Sequence, residues 1–165
     1  VGHSITDSWY LNTTYNYQRK DFVESTGNNS NVHALSFDNF VFLDEAATQY
    51  LRLTYRIEDE NTNDDQRDYL GHFLTAGYKT PLSTFPFDAD LNLGYQFFIK
   101  DYSSVNTTIG SERLDRRHTA NINLNIPFAD KYALSLNYEY IDAQSNLDSN
   151  DYSQNVITAS LSVDF

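Results

Sequence analysis

The stretch Asn155–Phe165, "NVITASLSVDF", decides the fold. Ile157, Ala159, Leu161, Val163 and Phe165 are apolar, while Thr158, Ser160, Ser162 and Asp164 between them are polar. Strict alternation is the pattern of a β-strand with one apolar and one polar face. The class of protein then depends on what the apolar face meets. A protein core makes a soluble sandwich, and lipid makes a membrane barrel.

The same alternation recurs upstream. Trp9, Leu11, Thr13, Tyr15 and Tyr17 share a face in "SWYLNTTYNYQ", and Leu51, Leu53, Tyr55 and Ile57 share one in "YLRLTYRIE". Leu74, Ala76 and Tyr78 form a further set, and the longest runs through Ala89, Leu91, Leu93, Tyr95, Phe97 and Ile99. Ala120, Ile122, Leu124 and Ile126 follow, then Tyr132, Leu134, Leu136, Tyr138 and Tyr140. "VHALSFDNFVFL" is ragged, because Phe40 and Phe42 break the face formed by Leu35, Phe37, Val41 and Leu43. With the closing strand this predicts about eight strands in an all-β antiparallel meander.

Composition narrows the partners. The 165 residues carry 11 Lys and Arg against 23 Asp and Glu, a formal charge of −12, which disfavours a nucleic-acid partner. There is no Cys to build a disulfide or thiol site. There is no Met either, so a processed or excised piece of a longer chain is expected. The longest aliphatic and aromatic run, "FVFL", is far short of a helical membrane span.

The connections separate into two sets. "DEAAT", "PLSTFPF" and "PFADKY" are short and hold all three prolines, Pro81, Pro86 and Pro127. "ESTGNNSN", "DENTNDDQ", "SSVNTTIGSER" and "DAQSNLDSNDYS" are long and polar. Short turns at one end and long loops at the other predict an up-and-down transmembrane β-barrel with periplasmic turns and extracellular loops. The polar faces are rich in Asn, Thr, Ser and Gly, and the apolar faces begin or end in Tyr, Trp or Phe, as lipid-facing strands do. Arg52, Arg56, Glu58, Lys79, Asp88, Asp90, Lys100, Arg117 and Glu139 are expected on the polar faces as lumen-lining groups. In a closed eight-strand barrel they would pack as a polar core; in a wider one they would line water.

The ending "SLSVDF" resembles the C-terminal signal of bacterial outer-membrane barrels, with Phe165 as the residue read by the assembly machinery. "SNLDSNDYSQNVITASL" and "ERLDRRHTANINLNIPFADKYALSLNYEY" resemble the last strands of proteobacterial β-barrel porins and of the barrels of tetratricopeptide-bearing outer-membrane proteins. The resemblance is one of barrel architecture. It implies outer-membrane localisation, with lipid, lipopolysaccharide, the barrel assembly machinery and periplasmic or surface proteins as partners. It also implies a channel or export conduit, with a non-conducting anchor that docks partners through acidic loops as the alternative. "ITDSWYLNTTYNYQRKDF" matches "FADKYALSLNYEYIDAQ" in layout, and "VGHS" before the first copy reads as the tail of a further strand. The chain is therefore expected to be a single outer-membrane barrel domain, 1–165, or the C-terminal part of a larger barrel.

Site chemistry is sparse. His3, His33, His72 and His118 show no metal-ligand spacing, and no nucleophile motif of the G-x-S-x-G kind occurs. An Asp115–His118 proton relay is weighed against a rim cluster of ion pairs, and the cluster is preferred. "DENTNDD" and "NLDSNDY" lack the glycine and terminal glutamate of a helix-flanked calcium loop. No cofactor, metal or catalytic residue is assigned, and no enzymatic activity is expected.

Overall fold

The computed structural model describes residues 1–83, 88–128 and 131–163. Nine strands lie among them: β1 Gly2–Thr6, β2 Trp9–Lys20, β3 Ser30–Phe42, β4 Tyr50–Thr62, β5 Tyr69–Leu82, β6 Ala89–Asn106, β7 Ser111–Phe128, β8 Tyr132–Ser145 and β9 Tyr152–Val163. They form one antiparallel sheet in sequence order, each strand paired with its neighbours in the chain. The additional strand is β1, built around the "GHSIT" segment whose start reads as a strand tail in the sequence. Phe165, the expected assembly signal, and Pro86 lie outside the described residues.

The sheet is not closed. An up-and-down meander of nine strands leaves β1 and β9 pointing the same way, so they cannot pair antiparallel with each other. Its accessible surface, 10720 Å², exceeds the roughly 8,400 Å² of a compact monomer of 19.0 kDa. Among the described residues no large side chain is fully buried.

Register settles the faces. Tyr15 opposes Leu35, Leu35 opposes Ile57, Ile57 opposes His72 and His72 opposes Ile99, all on one side. On the other side Glu58 opposes Ala34 and Gly71, and Gly71 opposes Lys100. The polar side is concave, since Lys20 on β2 and Arg113 on β7 border the same cavity. Buried Val32, Ala34, Glu58, Glu60, Tyr69 and Tyr102 all belong to that concave side. Exposed Leu53, Leu74, Ile122, Ile157 and Leu161 belong to the convex, apolar side. A water-soluble protein has the opposite arrangement.

The long polar links are largely strand. β4 continues through "DENT", and β6 and β7 pair as far as Asn106 and Ser111 across a bulge between Asp101 and Val105. What remains unpaired are turns around Thr26–Asn28, Asp65–Arg67, residues 107–110 and Asp148–Asn150. Asp64 caps one turn by accepting from the Gln66 amide, and Gln66 in turn accepts from the Thr107 amide at 3.1 Å. The contrast between the two ends is thus one of strand extension. At one end the strands stop with the apolar belt, and at the other they rise past it as polar hairpins.

At the short-turn end between β3 and β4, Asp44 organises the chain. It accepts from the Thr48 hydroxyl and from the Gln49 amide at 2.9 Å. The Thr48 and Gln49 bonds favour the carboxylate and hold the Asp44 pKa below its ordinary value. Its contribution is complete above the ordinary value and is lost as pH falls through the lowered one. In protein refolded in detergent, the Gln49 amide resonance should therefore titrate with a midpoint below about 3.9, and Asp44→Asn should abolish that titration. A midpoint at or above that value contradicts the turn geometry.

Candidate functional site

The concave face carries a continuous layer of ion pairs and aromatic rings. Near the extended hairpins, Lys20 Nζ lies 2.8 Å from Glu60, which also accepts from Ser30 Oγ at 2.7 Å. Glu58 accepts from Tyr69 Oη at 2.6 Å and pairs with Arg56. Lys100 Nζ sits 3.9 Å over the Tyr69 ring, and Tyr102 packs beside Tyr69 with centroids 5.5 Å apart. Asp115 accepts from Ser145 Oγ at 2.7 Å and pairs with Arg113, whose guanidinium lies 4.4 Å over Tyr102. A cavity of about 560 Å³ opens here, bordered by Lys20, Glu60, Tyr69, Tyr102 and Arg113.

Lower on the same face is a second cavity of about 420 Å³. Arg52 reaches Asp38 at 2.7 Å, and Thr54 donates to the same carboxylate at 2.6 Å. Arg56 lies 4.4 Å over Phe73, and Arg117 lies 4.6 Å over Phe98. The two phenylalanines are neighbours, with centroids 5.5 Å apart. Towards the short turns, Lys79 and Asp90 approach to 3.6 Å, and a neutral amide patch follows in which Asn123 donates to Ser135 Oγ at 3.1 Å.

Of the residues expected on polar faces, Arg52, Arg56, Glu58, Lys79, Asp90, Lys100 and Arg117 stand on this face by register or contact. Glu139 joins them opposite Asn121 and Val156. Asp88 precedes β6 and is exposed in the turn. Sequence reading omits Lys20, Asp38, Glu60, Tyr69, Tyr102 and Arg113, although the even spacing of Glu60, Tyr69, Tyr102 and Arg113 from assigned residues of their own strands carries the signal. Phe40 and Phe42, which break the alternation of β3, turn inward to the concave face, where Tyr50 packs against both. Asp115 and His118 form no relay. Three residues apart in one strand, they project to opposite faces, and His118 bonds Tyr95 instead.

The convex face has its own order. From Trp9 to Tyr17, Leu51 to Ile57, Leu74 to Tyr78, Leu91 to Ile99, Ile122 to Ile126 and Tyr132 to Tyr140, no outward residue is Asp, Glu, Lys or Arg. At the upper edge of this belt one motif repeats in four hairpins. Tyr15 bonds His33 Nδ1 at 2.7 Å, Tyr55 bonds His72 at 2.8 Å, and Tyr95 bonds His118 at 2.6 Å. Tyr138 donates to Asn155 Oδ1 at 2.7 Å. Each pair is a cross-strand diagonal.

These pairs step regularly. Followed along the ladder, His33 is level with Asp59 and Leu70, and His72 lies two residues beyond Leu70 towards the short turns. His72 is level with Arg116, and His118 lies two residues further on. His118 is level with Ser153, and Asn155 again lies two beyond. Two residues of roughly 3.3 Å for every two strand spacings of roughly 4.8 Å is a slope of about 35°. Barrel strands tilt by about 35–45° to their axis, so the four pairs fall at one height on such a surface.

Comparison with protein-family models, with curated proteins and with solved structures returns no match. Among the described residues, no group of three or more His, Asp or Glu is placed to hold a metal ion.

Adjacent residues of β4 test the assignment of faces. Glu58→Ala strands the Tyr69 hydroxyl and Arg56 on the concave face and should cost about 1–3 kcal/mol. Asp59→Ala, one residue along on the convex side, should stay within about 0.5 kcal/mol. Urea unfolding of the detergent-refolded protein measures both, and equal losses would refute the assignment.

Proposed function

We propose that this chain is the wall of an outer-membrane β-barrel, with its convex face against lipid and its concave face lining a water-filled conduit for solute passage or export. The inversion of the faces carries this reading. Ionic and hydrogen-bonding side chains are sheltered on the concave side, while an uncharged belt stands exposed on the convex side. In water that arrangement leaves the largest apolar surface unburied, whereas in a bilayer it satisfies both faces.

The belt has membrane dimensions. From Trp9 to Tyr17, or from Tyr132 to Tyr140, eight residues at a slope of about 35° cover roughly 22 Å of height, against roughly 25 Å for the apolar band of outer-membrane barrels. Aromatic rings mark both edges. Trp9, Tyr132 and Phe128 stand at the short-turn side, and the Tyr–His and Tyr–Asn pairs stand at the hairpin side. A ring with one polar edge suits the boundary between hydrocarbon and headgroups. The strand parity of the sheet fits a barrel completed by further strands, an odd number if every pairing stays antiparallel. The two cavities along the concave face leave room for water in such a conduit.

The extended hairpins support a second role, as a docking crown for surface partners. Hydrogen bonds between neighbouring loops tie it together, including Asn63 to Thr26 and Asn146 to Glu112.

Charge placed in the belt tests the reading. Ile122→Arg should destabilise protein refolded into phospholipid vesicles by about 2–4 kcal/mol, because the guanidinium would face hydrocarbon. Asn123→Arg, directed to the other face, should cost far less. An Ile122→Arg cost within about 0.5 kcal/mol, the usual effect of a water-exposed substitution, would overturn the membrane assignment.

A further inference from the structure

The concave face departs in sign from the rest of the chain. Five ion pairs neutralise one another there: Lys20–Glu60, Arg52–Asp38, Arg56–Glu58, Lys79–Asp90 and Arg113–Asp115. Arg117 and Lys100 are left over, with no carboxylate within ion-pair distance among the described residues. Among the described residues Glu139 is the remaining acid on this face, and it stands level with Asn121, four residues below Arg117, and opposite Val156. A chain with a formal charge of −12 therefore presents a slight positive excess on this face, concentrated at the level of the second cavity.

The geometry of that cavity is specific. The Arg56 and Arg117 guanidiniums sit over adjacent rings, Phe73 and Phe98, at 4.4 and 4.6 Å from the ring centroids. A guanidinium stacked on a ring directs its N–H donors sideways, in its own plane. The Nε atoms of both residues are buried and lack an acceptor. Both guanidiniums line the cavity; Arg56 is already paired with Glu58, whereas Arg117 brings an unpaired charge to it. Ser36, Thr54, Thr75 and Gln96 add neutral hydrogen-bonding groups, and Arg52 completes the lining with Asp38, a carboxylate already held by Arg52 and Thr54.

We propose that this cavity is an anion site, holding the carboxylate, phosphate or sulfate group of a solute against the edges of Arg56 and Arg117. It makes the conduit prefer anions despite the acidic hairpins above it. The inference rests on the conduit reading and names the class of solute that the conduit passes. An oxyanion in the cavity accepts from the accessible guanidinium N–H groups and offsets the unpaired charge of Arg117. The aromatic platform keeps both side chains extended along the wall, so the solute meets donors already in position.

The experiment is reversal potential in planar bilayers, using the full protein in a potassium chloride gradient, with inorganic phosphate as the site probe. The expected result is a chloride over potassium preference and a chloride current that millimolar phosphate reduces. Arg117→Gln should lower the preference several-fold and abolish the phosphate effect. Arg117→Lys, which keeps the charge but loses the planar fork, should retain the preference and weaken the phosphate effect. Steps of conductance with a potassium preference, or phosphate effects unchanged in Arg117→Gln, would overturn the anion site while leaving the conduit standing. Absence of any conductance would overturn the conduit, and the site would then be judged by phosphate binding to detergent-refolded protein. Binding lost in Arg117→Gln upholds it, and no binding to the unsubstituted chain overturns it. Asp59→Asn, on the convex side, is the folding-competent control and should leave phosphate binding unchanged.

Discussion

Every feature of this structure depends on one register. Side chains alternate across a strand with a period of two, so the pairing that puts Leu53 outside also puts Arg52 and Thr54 inside. From β2 to β5 the ladder runs without a shift, and neighbouring strands inherit the same division. A slip of one residue in β4 would carry Arg56 and Glu58 to the apolar face and strand Leu53 and Ile57 among ion pairs. Such a slip costs every contact of the strand at once. The cleanest alternation therefore specifies register most strongly, and the two bulges fall at the periphery, between Ser4 and Thr6 and beyond Asp101.

The concave face solves a different problem. It has no aliphatic core to hold its charges in place, so aromatic rings do so. Phe40, Phe73, Phe98, Tyr69 and Tyr102 each support a cation from a neighbouring strand. Glycine makes room for this layer. A Cβ at Gly71 would meet the Phe73 ring at 2.7 Å, and Gly77 and Gly94 oppose each other across β5 and β6. The negative charge of the chain is largely carried by turns and hairpin extensions, including Asp64, Asp65, Asp68, Asp148 and Asp151, where water screens it.

Much of the sheet was legible in the sequence because its signal is local. Alternation over "ADLNLGYQFFIK" identifies a strand, its two faces and the inward side of Lys100 without any partner. Strand ends were not legible. "DENT" and "SSVN" look like loop because Asp, Asn and Ser favour turns, yet each pairs with a complementary polar strand whose own sequence is equally ambiguous. Phe40 and Phe42 misled for a related reason, since an aromatic on the polar face is needed to carry Arg52 and is indistinguishable by hydropathy from one on the other side. The Tyr–His pairs could not be seen at all before the register was known. Tyr55 and His72 are far apart in sequence, and only the hairpin between them makes them a diagonal. The parity of Asp115 and His118, by contrast, was available from their spacing alone.

Each strand pairs only with the strands before and after it in the chain, and this governs how the sheet can form. Closing a hairpin joins segments already close in sequence, so the entropy lost at each addition is small and does not grow as the sheet widens. Assembly is in effect a zipper, in which every completed strand templates the next. The same property leaves the growing front reactive at every stage. β9, solvent-exposed along nearly its whole length, is that front, offering a row of unpaired amides and carbonyls over an apolar flank. In water such an edge recruits any passing strand, and mispairing competes directly with completion. Speed of lateral capture, more than the final depth of the energy well, then determines whether a nascent sheet of this design survives.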